Sequence, residues 1–242
     1  MTLKSKRIVV VGGSSGIGFA VAKGALAEGA EVVVGSSRAA NVDAAVERLG
    51  QGASGHAVNV RDEANVAAFF ERIGPFDHLA FTAGDWVGWG VASHLAETDL
   101  EAAKDRSAVR YWGAIAAVKH GSKTIAPDGS ITLTNGTVAH RPRKGGPLST
   151  AMAGSIEFLV RGLAVDLAPV RVNGVCPAMI RTDVWNSIVQ ENGEEAFNRM
   201  TARQPIPRIG EPAEVAEAYL YLMRGTYTTG QILVVDGGAT LV

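Results

Sequence analysis

A valine-rich run, Ile8-Val9-Val10-Val11, passes without a spacer into Gly12-Gly13-Ser14-Ser15-Gly16-Ile17-Gly18, and an amphipathic segment follows at once. That order constrains the fold more than any other stretch of the chain. A short apolar run predicts a strand buried on both faces. Ile17, Val21, Ala25 and Leu26 recur on one face, so residues 16–28 predict a helix. The glycines between them permit positive φ and let a pyrophosphate approach the backbone, and the helix start offers free N–H groups. A glycine turn can also be nothing more than a tight turn. Its place after the first strand favours the dinucleotide reading.

The same alternation repeats down the chain. Strands are predicted at residues 31–35, 55–58, 77–82, 130–134, 170–175 and 231–235. Helices are predicted at 41–49, 62–73, 149–168 and 211–224. Thr98-Asp99-Leu100-Glu101 has capping-box spacing and predicts a long helix reaching about Ile125. This pattern implies an α/β fold, one doubly wound parallel sheet with helices on both faces. At 242 residues the chain fits a single domain, 1–242. Residues 178–207 carry no strand signal and are expected to form a helical flap over a site.

Bulk properties exclude several classes. The formal net charge of -1 gives no reason to expect a nucleic-acid partner. No apolar run is read as a membrane span, and the charged N-terminus lacks a signal-peptide core. Cys176 is the only cysteine, so no intrachain disulfide is possible. A soluble, cytoplasmic chain is therefore expected. No metal ligand set is expected, and Cys176 reads as a small buried hydrophobe.

After the second strand comes Ser36-Ser37-Arg38, with no acidic residue to bind a ribose 2′-hydroxyl. Arg38 suits a 2′-phosphate and Ser37 a hydrogen bond to it, which favours NADP (NADPH) over NAD. A solvated surface arginine is the competing reading.

These motifs and several further ones resemble the short-chain dehydrogenase/reductase family across nearly the whole chain. The family's glycine motif is matched from Gly12 to Gly18, with Val11 where threonine is usual. Asn59-Val60 stands where the family has Asp-Val beside the adenine. Phe81-Thr82-Ala83-Gly84 stands where it has Asn-Asn-Ala-Gly. Residues 171–178, Arg-Val-Asn-Gly-Val-Cys-Pro-Ala, resemble the approach to its Pro-Gly. Ile180 and Thr182 match its nicotinamide and phosphate positions. Residues 207–212 and 229–238 match its C-terminal signature. By this resemblance the cofactor contacts are Gly12, Ser14, Ser15, Gly16, Ile17, Gly18, Ser37, Arg38, Asn59, Val60, Ala83, Gly84, Pro177, Ile180 and Thr182. It also implies a homodimer or homotetramer packed through the helices at 98–125 and 149–168.

The family's catalytic side chains do not carry over. Its tyrosine position falls on Ser149, its lysine on Ala153, its serine on Gly136 and its asparagine on Arg110. No register shift restores them: no tyrosine lies between Tyr111 and Tyr219, and no lysine follows Lys144. General acid–base help is worth about 10²–10⁴-fold in rate, so its loss matters. Ser149 reads either as a weak hydroxyl in the site or as the N-cap of its helix. Arg110 can hold an oxyanion or a carboxylate, or pair with Asp105 or Asp85. His140 can exchange protons or sit in a solvated loop. Thr137 is a weaker substitute for the lost hydroxyl. Trp86, Trp89 and Trp112 suit an aromatic or apolar substrate, or else lid and subunit packing. The basic run 140–144 suits an anionic substrate group or plain solvent. Three functions stay open: an NADP(H)-dependent oxidoreductase acting on an unknown carbonyl or alcohol with a non-standard proton donor, a catalytically silent nucleotide-binding subunit, and a non-redox lyase or isomerase reusing the pocket.

Overall fold

Seven parallel strands lie in the order β3-β2-β1-β4-β5-β6-β7 in a computed structural model that describes residues 2–84, 95–183 and 193–242. The strands are β1 Arg7–Val11, β2 Glu31–Ser36, β3 Ala53–Ala57, β4 Phe76–Phe81, β5 Ile125–Thr134, β6 Arg171–Pro177 and β7 Ile232–Val235. The chain winds outward from β1 to β3, then crosses back to β4 beside β1. That reversal opens a crevice at the carboxyl ends of β1 and β4, where α/β sheets bind their ligands.

The helices are α1 Gly16–Ala27, α2 Ala39–Leu49, α3 Glu63–Ile73, α4 Leu100–Ser107, α5 Gly113–Gly121, α6 Pro147–Asp166, α7 Glu194–Thr201 and α8 Pro212–Arg224. They bury both faces of the sheet. One core packs Val10, Val34 and Ala80 against Val21 and Ala25 of α1 and against Tyr219 and Leu220 of α8. The other packs Val9, Leu79 and Leu133 against Phe69 and Phe70 of α3, Ala117 of α5 and Ile156 of α6. Alternate residues of β1 and β2 serve opposite layers, so these central strands read as nearly unbroken apolar runs, whereas β3 at the sheet edge is largely unburied.

Four expectations need correction. The helix after Thr98 is not continuous to Ile125. Asp99 caps it, accepting from the backbone N–H of Glu101 and Ala102, because its carboxylate is charged and one residue nearer than the Thr98 hydroxyl. α4 then passes through a π-helical turn, Ala108–Trp112, into α5, which ends at Gly121. Ile125 already belongs to β5. Second, Ser149 caps nothing. α6 starts at Pro147 behind an N-cap at Gly146, since proline at the first position has no N–H to satisfy. Third, α6 is by length and composition apolar enough to cross a membrane, contrary to the sequence reading. Its buried face, Ala153, Ile156 and Val160, belongs to the core. Fourth, residues 178–207 are not purely helical: Ile180 bridges to Gly210, and only α7 is helix among the described residues of that stretch beyond Asp183.

Candidate functional site

The crevice is a cleft of about 620 Å³. Its floor at one end is the turn after β1. Gly12 N–H donates to Gly35 O at 2.8 Å, and Thr82 and Ala83 N–H both donate to Val11 O, which clamps the turn between β2 and β4. Gly12 has φ +91, and a Cβ there would overlap the Ala83 backbone. A Cβ on Gly18 would overlap Gly12 O, so the glycines set how closely α1 packs under the turn. No side chain caps α1 and no acidic residue sits in its first turn. Its leading N–H groups are therefore free for an anion, the feature a bound pyrophosphate needs. The cavity and the uncapped helix fit a nicotinamide dinucleotide.

Every residue assigned to the cofactor by resemblance lines this cleft: Gly12, Ser14, Ser15, Gly16, Ile17, Gly18, Ser37, Arg38, Asn59, Val60, Ala83, Gly84, Pro177, Ile180 and Thr182. Arg61 and Asn41 also line it, and the sequence reading did not single them out. With the Asn41 amide turned so that its oxygen faces the guanidinium, it accepts from Arg38 Nε at 3.1 Å and Nη2 at 3.0 Å. Arg38 is exposed at the rim and oriented by this contact. Asn59 closes a turn, with Oδ1 accepting from Arg61 N–H at 3.2 Å. Arg61 Nη1 reaches Asp105 Oδ1 at 2.5 Å, which engages one of the acids considered for Arg110.

At the opposite end the four replaced positions come together: Arg110, Gly136, Ser149 and Ala153 all line the cleft, beside Asn135, Val138 and Met152. Arg110 lies in the π-helical turn, an insertion that re-aims side chains and is common at functional sites. Its guanidinium lies against Gly84, where a Cβ would overlap Nη2. Gly113 abuts Val60, which draws the start of α5 close to the cleft wall. Among the described lining residues the charged ones are Arg38, Arg61 and Arg110, and none is acidic.

His140 does not join this lining. Its Nε2 sits 2.7 Å from Glu157 Oε1, so it faces a buried carboxylate instead. Glu157 also accepts from Asn135 Nδ2 at 2.7 Å. Burial, with Glu157 and Asp236 adding to it, pushes the Cys176 thiol up to about 12, so it is inert as a nucleophile. Sequence reasoning missed Asn135 and Glu157. Glu157 carried a usable signal, because it falls on the apolar stripe of α6 with Ala153, Ile156 and Val160. Trp112 is exposed and packs edge-on to Tyr111 at 5.2 Å, away from the cleft lining. Arg141 donates to Ala239 O at 2.7 Å. Thr137 opens a short 3₁₀ turn. Trp86, Trp89 and Asp85 lie outside the described residues.

Comparison with known proteins extends this picture. The model of the enoyl-(acyl carrier protein) reductase family matches residues 11–240. A short-chain dehydrogenase/reductase of Acremonium sp, ucsE, is 33% identical over 99% of this chain and 97% of its own. The MalC reductase/Diels-Alderase of Malbranchea aurantiaca superposes with a TM-score of 0.91 at 31% identity, covering 99% of this chain and 98% of that one. An NADPH-bound short-chain oxidoreductase of Pseudomonas aeruginosa PAO1, described as containing an atypical catalytic center, superposes with a TM-score of 0.88 at 28% identity over 96% of both chains. With its parallel sheet, its glycine turn and these matches over nearly its full length, the chain belongs to the short-chain dehydrogenase/reductase family.

Proposed function

We propose that this protein is an NADPH-dependent reductase that works without a side-chain acid at the tyrosine position and stabilises the oxyanion of its substrate with Arg110. The observation that carries the reading is the all-arginine ionisable lining of the cleft. At one rim Arg38, steadied by Asn41, suits a 2′-phosphate, and no acidic residue is among the described cleft lining; Arg61 beside it is paired with Asp105. At the other end Arg110 lines the cleft together with Gly136, Ser149 and Ala153, its guanidinium against Gly84.

The cofactor, when bound, supplies a hydride to the carbonyl carbon. This chain's residues do the rest. The turn at Gly12–Gly18 and the α1 N-terminus hold the pyrophosphate. Arg110 offers fixed N–H donors to the oxygen on which negative charge develops. A guanidinium stays protonated near neutral pH, so the proton that completes the alcohol comes from water. The site therefore favours carbonyls whose reduced oxyanion is already stabilised, and substrates carrying an anionic group. The NADPH complex of the Pseudomonas relative with an atypical centre supports this reading.

The second reading is a non-redox reaction in the same pocket. The relative described as both a reductase and a Diels-Alderase favours it, since a cycloaddition needs shape and hydrogen bonding more than proton transfer. NADPH consumption with a panel of activated and simple carbonyls separates the two. Turnover that falls by about 10²–10³-fold in Arg110→Ala, the usual effect of removing an oxyanion donor, supports the reductase. No consumption with any carbonyl, despite bound NADPH, removes it and leaves a silent subunit or a non-redox enzyme.

A further inference from the structure

We propose that His140, Glu157, Cys176 and Asn135 form a binding site for a divalent transition metal, zinc foremost, directly behind the reaction end of the cleft. The donors come from separate elements. Asn135 follows β5, Cys176 lies on β6, Glu157 lies on α6, and His140 follows the 3₁₀ turn. One ligand atom from each of His140, Glu157 and Cys176 lies within 4.8 Å of the other two. Asn135 joins them through its bond to Glu157, while its Oδ1 is buried with no hydrogen-bond partner.

Charge balance gives the chemistry. The Glu157 side chain is 11% exposed, and a buried carboxylate requires compensation. A divalent cation held by one thiolate, one carboxylate, one neutral imidazole and one amide oxygen is neutral overall. That assembly also satisfies Asn135 Oδ1. Nitrogen, sulfur and oxygen donors together select zinc or cobalt over magnesium or calcium, which take oxygen alone. Tetrahedral zinc bonds of about 2.0–2.3 Å set neighbouring donors about 3.3–3.8 Å apart. The His140–Glu157 pair, at 2.7 Å, must open by at least about 0.6 Å to reach that spacing. His140 is 37% exposed on its side chain, so it has room to move and gives the ion a way in.

Of the four ligands only Asn135 lines the cleft, while His140, Glu157 and Cys176 lie outside that lining, so the metal sits behind the cleft wall in a structural position. It ties β5, β6 and α6, the elements that carry Asn135, Pro177 and Ser149 to the cleft. The inference does not depend on the reductase reading.

The test is cobalt titration of the chelator-stripped full chain. One equivalent of Co²⁺ is expected to give a thiolate-to-cobalt charge-transfer band in the near ultraviolet, discharged by zinc. Cys176→Ser should abolish the band, and His140→Ala should weaken cobalt binding by more than the ~100-fold that loss of a supporting contact can cost. Zinc should raise the melting temperature of the wild type and of neither variant. His140→Ala changes a partly exposed side chain, so it stays informative should the buried Cys176→Ser variant misfold. No charge-transfer band in the wild type overturns the proposal, and so does cobalt affinity unchanged in His140→Ala.

Discussion

Arg110 and Gly84 form a mechanical pair. The guanidinium occupies the space that a side chain at Gly84 would take. Because the colliding atoms are the end of a flexible side chain, Gly84→Ala should fold normally and displace Arg110. Its expected effect is a fall in turnover comparable to Arg110→Ala with an unchanged melting curve; full activity would show that the guanidinium's position is immaterial. At the other rim, Arg38→Asp should weaken NADPH by at least about tenfold, the loss of one charge-assisted hydrogen bond, while leaving NADH nearly unaffected. Equal weakening of both would remove the 2′-phosphate role. These two arginines were legible in the sequence for different reasons. Arg38 stands where an acid is conspicuously lacking, and Arg110 emerges from counting along motifs. Asn41 was not legible, because its role depends on a side-chain geometry that no local pattern encodes.

Among elements, the central strands were the most legible, since burial on both faces leaves β1 and β2 as apolar runs, while the edge strand β3 and the polar start of β5 were read with displaced bounds. Helix ends were less so, because competing caps differ by one residue: Asp99 outcompetes Thr98, and Pro147 moves the start of α6 two residues ahead of Ser149. The π-helical turn Ala108–Trp112 left no trace in the sequence, which carries the same helix-compatible residues on either side of it. Within the sheet, β4 carries His78, 3% exposed, its Nδ1 2.9 Å from Ser130 Oγ on β5. Burial, with Arg171 and Lys6 adding to it and Asp77 and Asp128 opposing, pushes its pKa down to about 4. The folded state therefore binds fewer protons than the unfolded one between the unfolded value of 6.5 and about 4. Its contribution to stability is intact above 6.5 and is lost as pH falls through that window, by up to about 3 kcal/mol. Denaturant melts from pH 7 to 4 should show that slope, and His78→Asn should flatten it. An unchanged slope in the variant would place the titration elsewhere.

At the scale of the whole molecule, α6 exposes Phe158 (69%) and Val165 (81%), with the Arg161 guanidinium over the Phe158 ring. Leu241 near the C-terminus is 81% exposed. Such surface marks an interface more often than a free face, and we expect a dimer or tetramer built through α6. Light scattering should give a mass that is a multiple of the 25.2 kDa chain, reduced by Phe158→Glu with Val165→Glu; a monomeric wild type would refute it. The parallel sheet, the glycine turn and the cleft follow from the sequence with little ambiguity. The reaction does not, because the positions where the family resemblance expects its catalytic side chains fall on Gly136, Ser149, Ala153 and Arg110. What the whole cleft fits is a nicotinamide dinucleotide, and the proposal adds a preference for the 2′-phosphorylated form. Titration of the purified protein with NADPH and NADH, read by nicotinamide fluorescence, tests that claim most directly. The account predicts saturable binding of NADPH, at least about tenfold tighter than NADH. Absence of NADPH binding, or a preference for NADH, would contradict it.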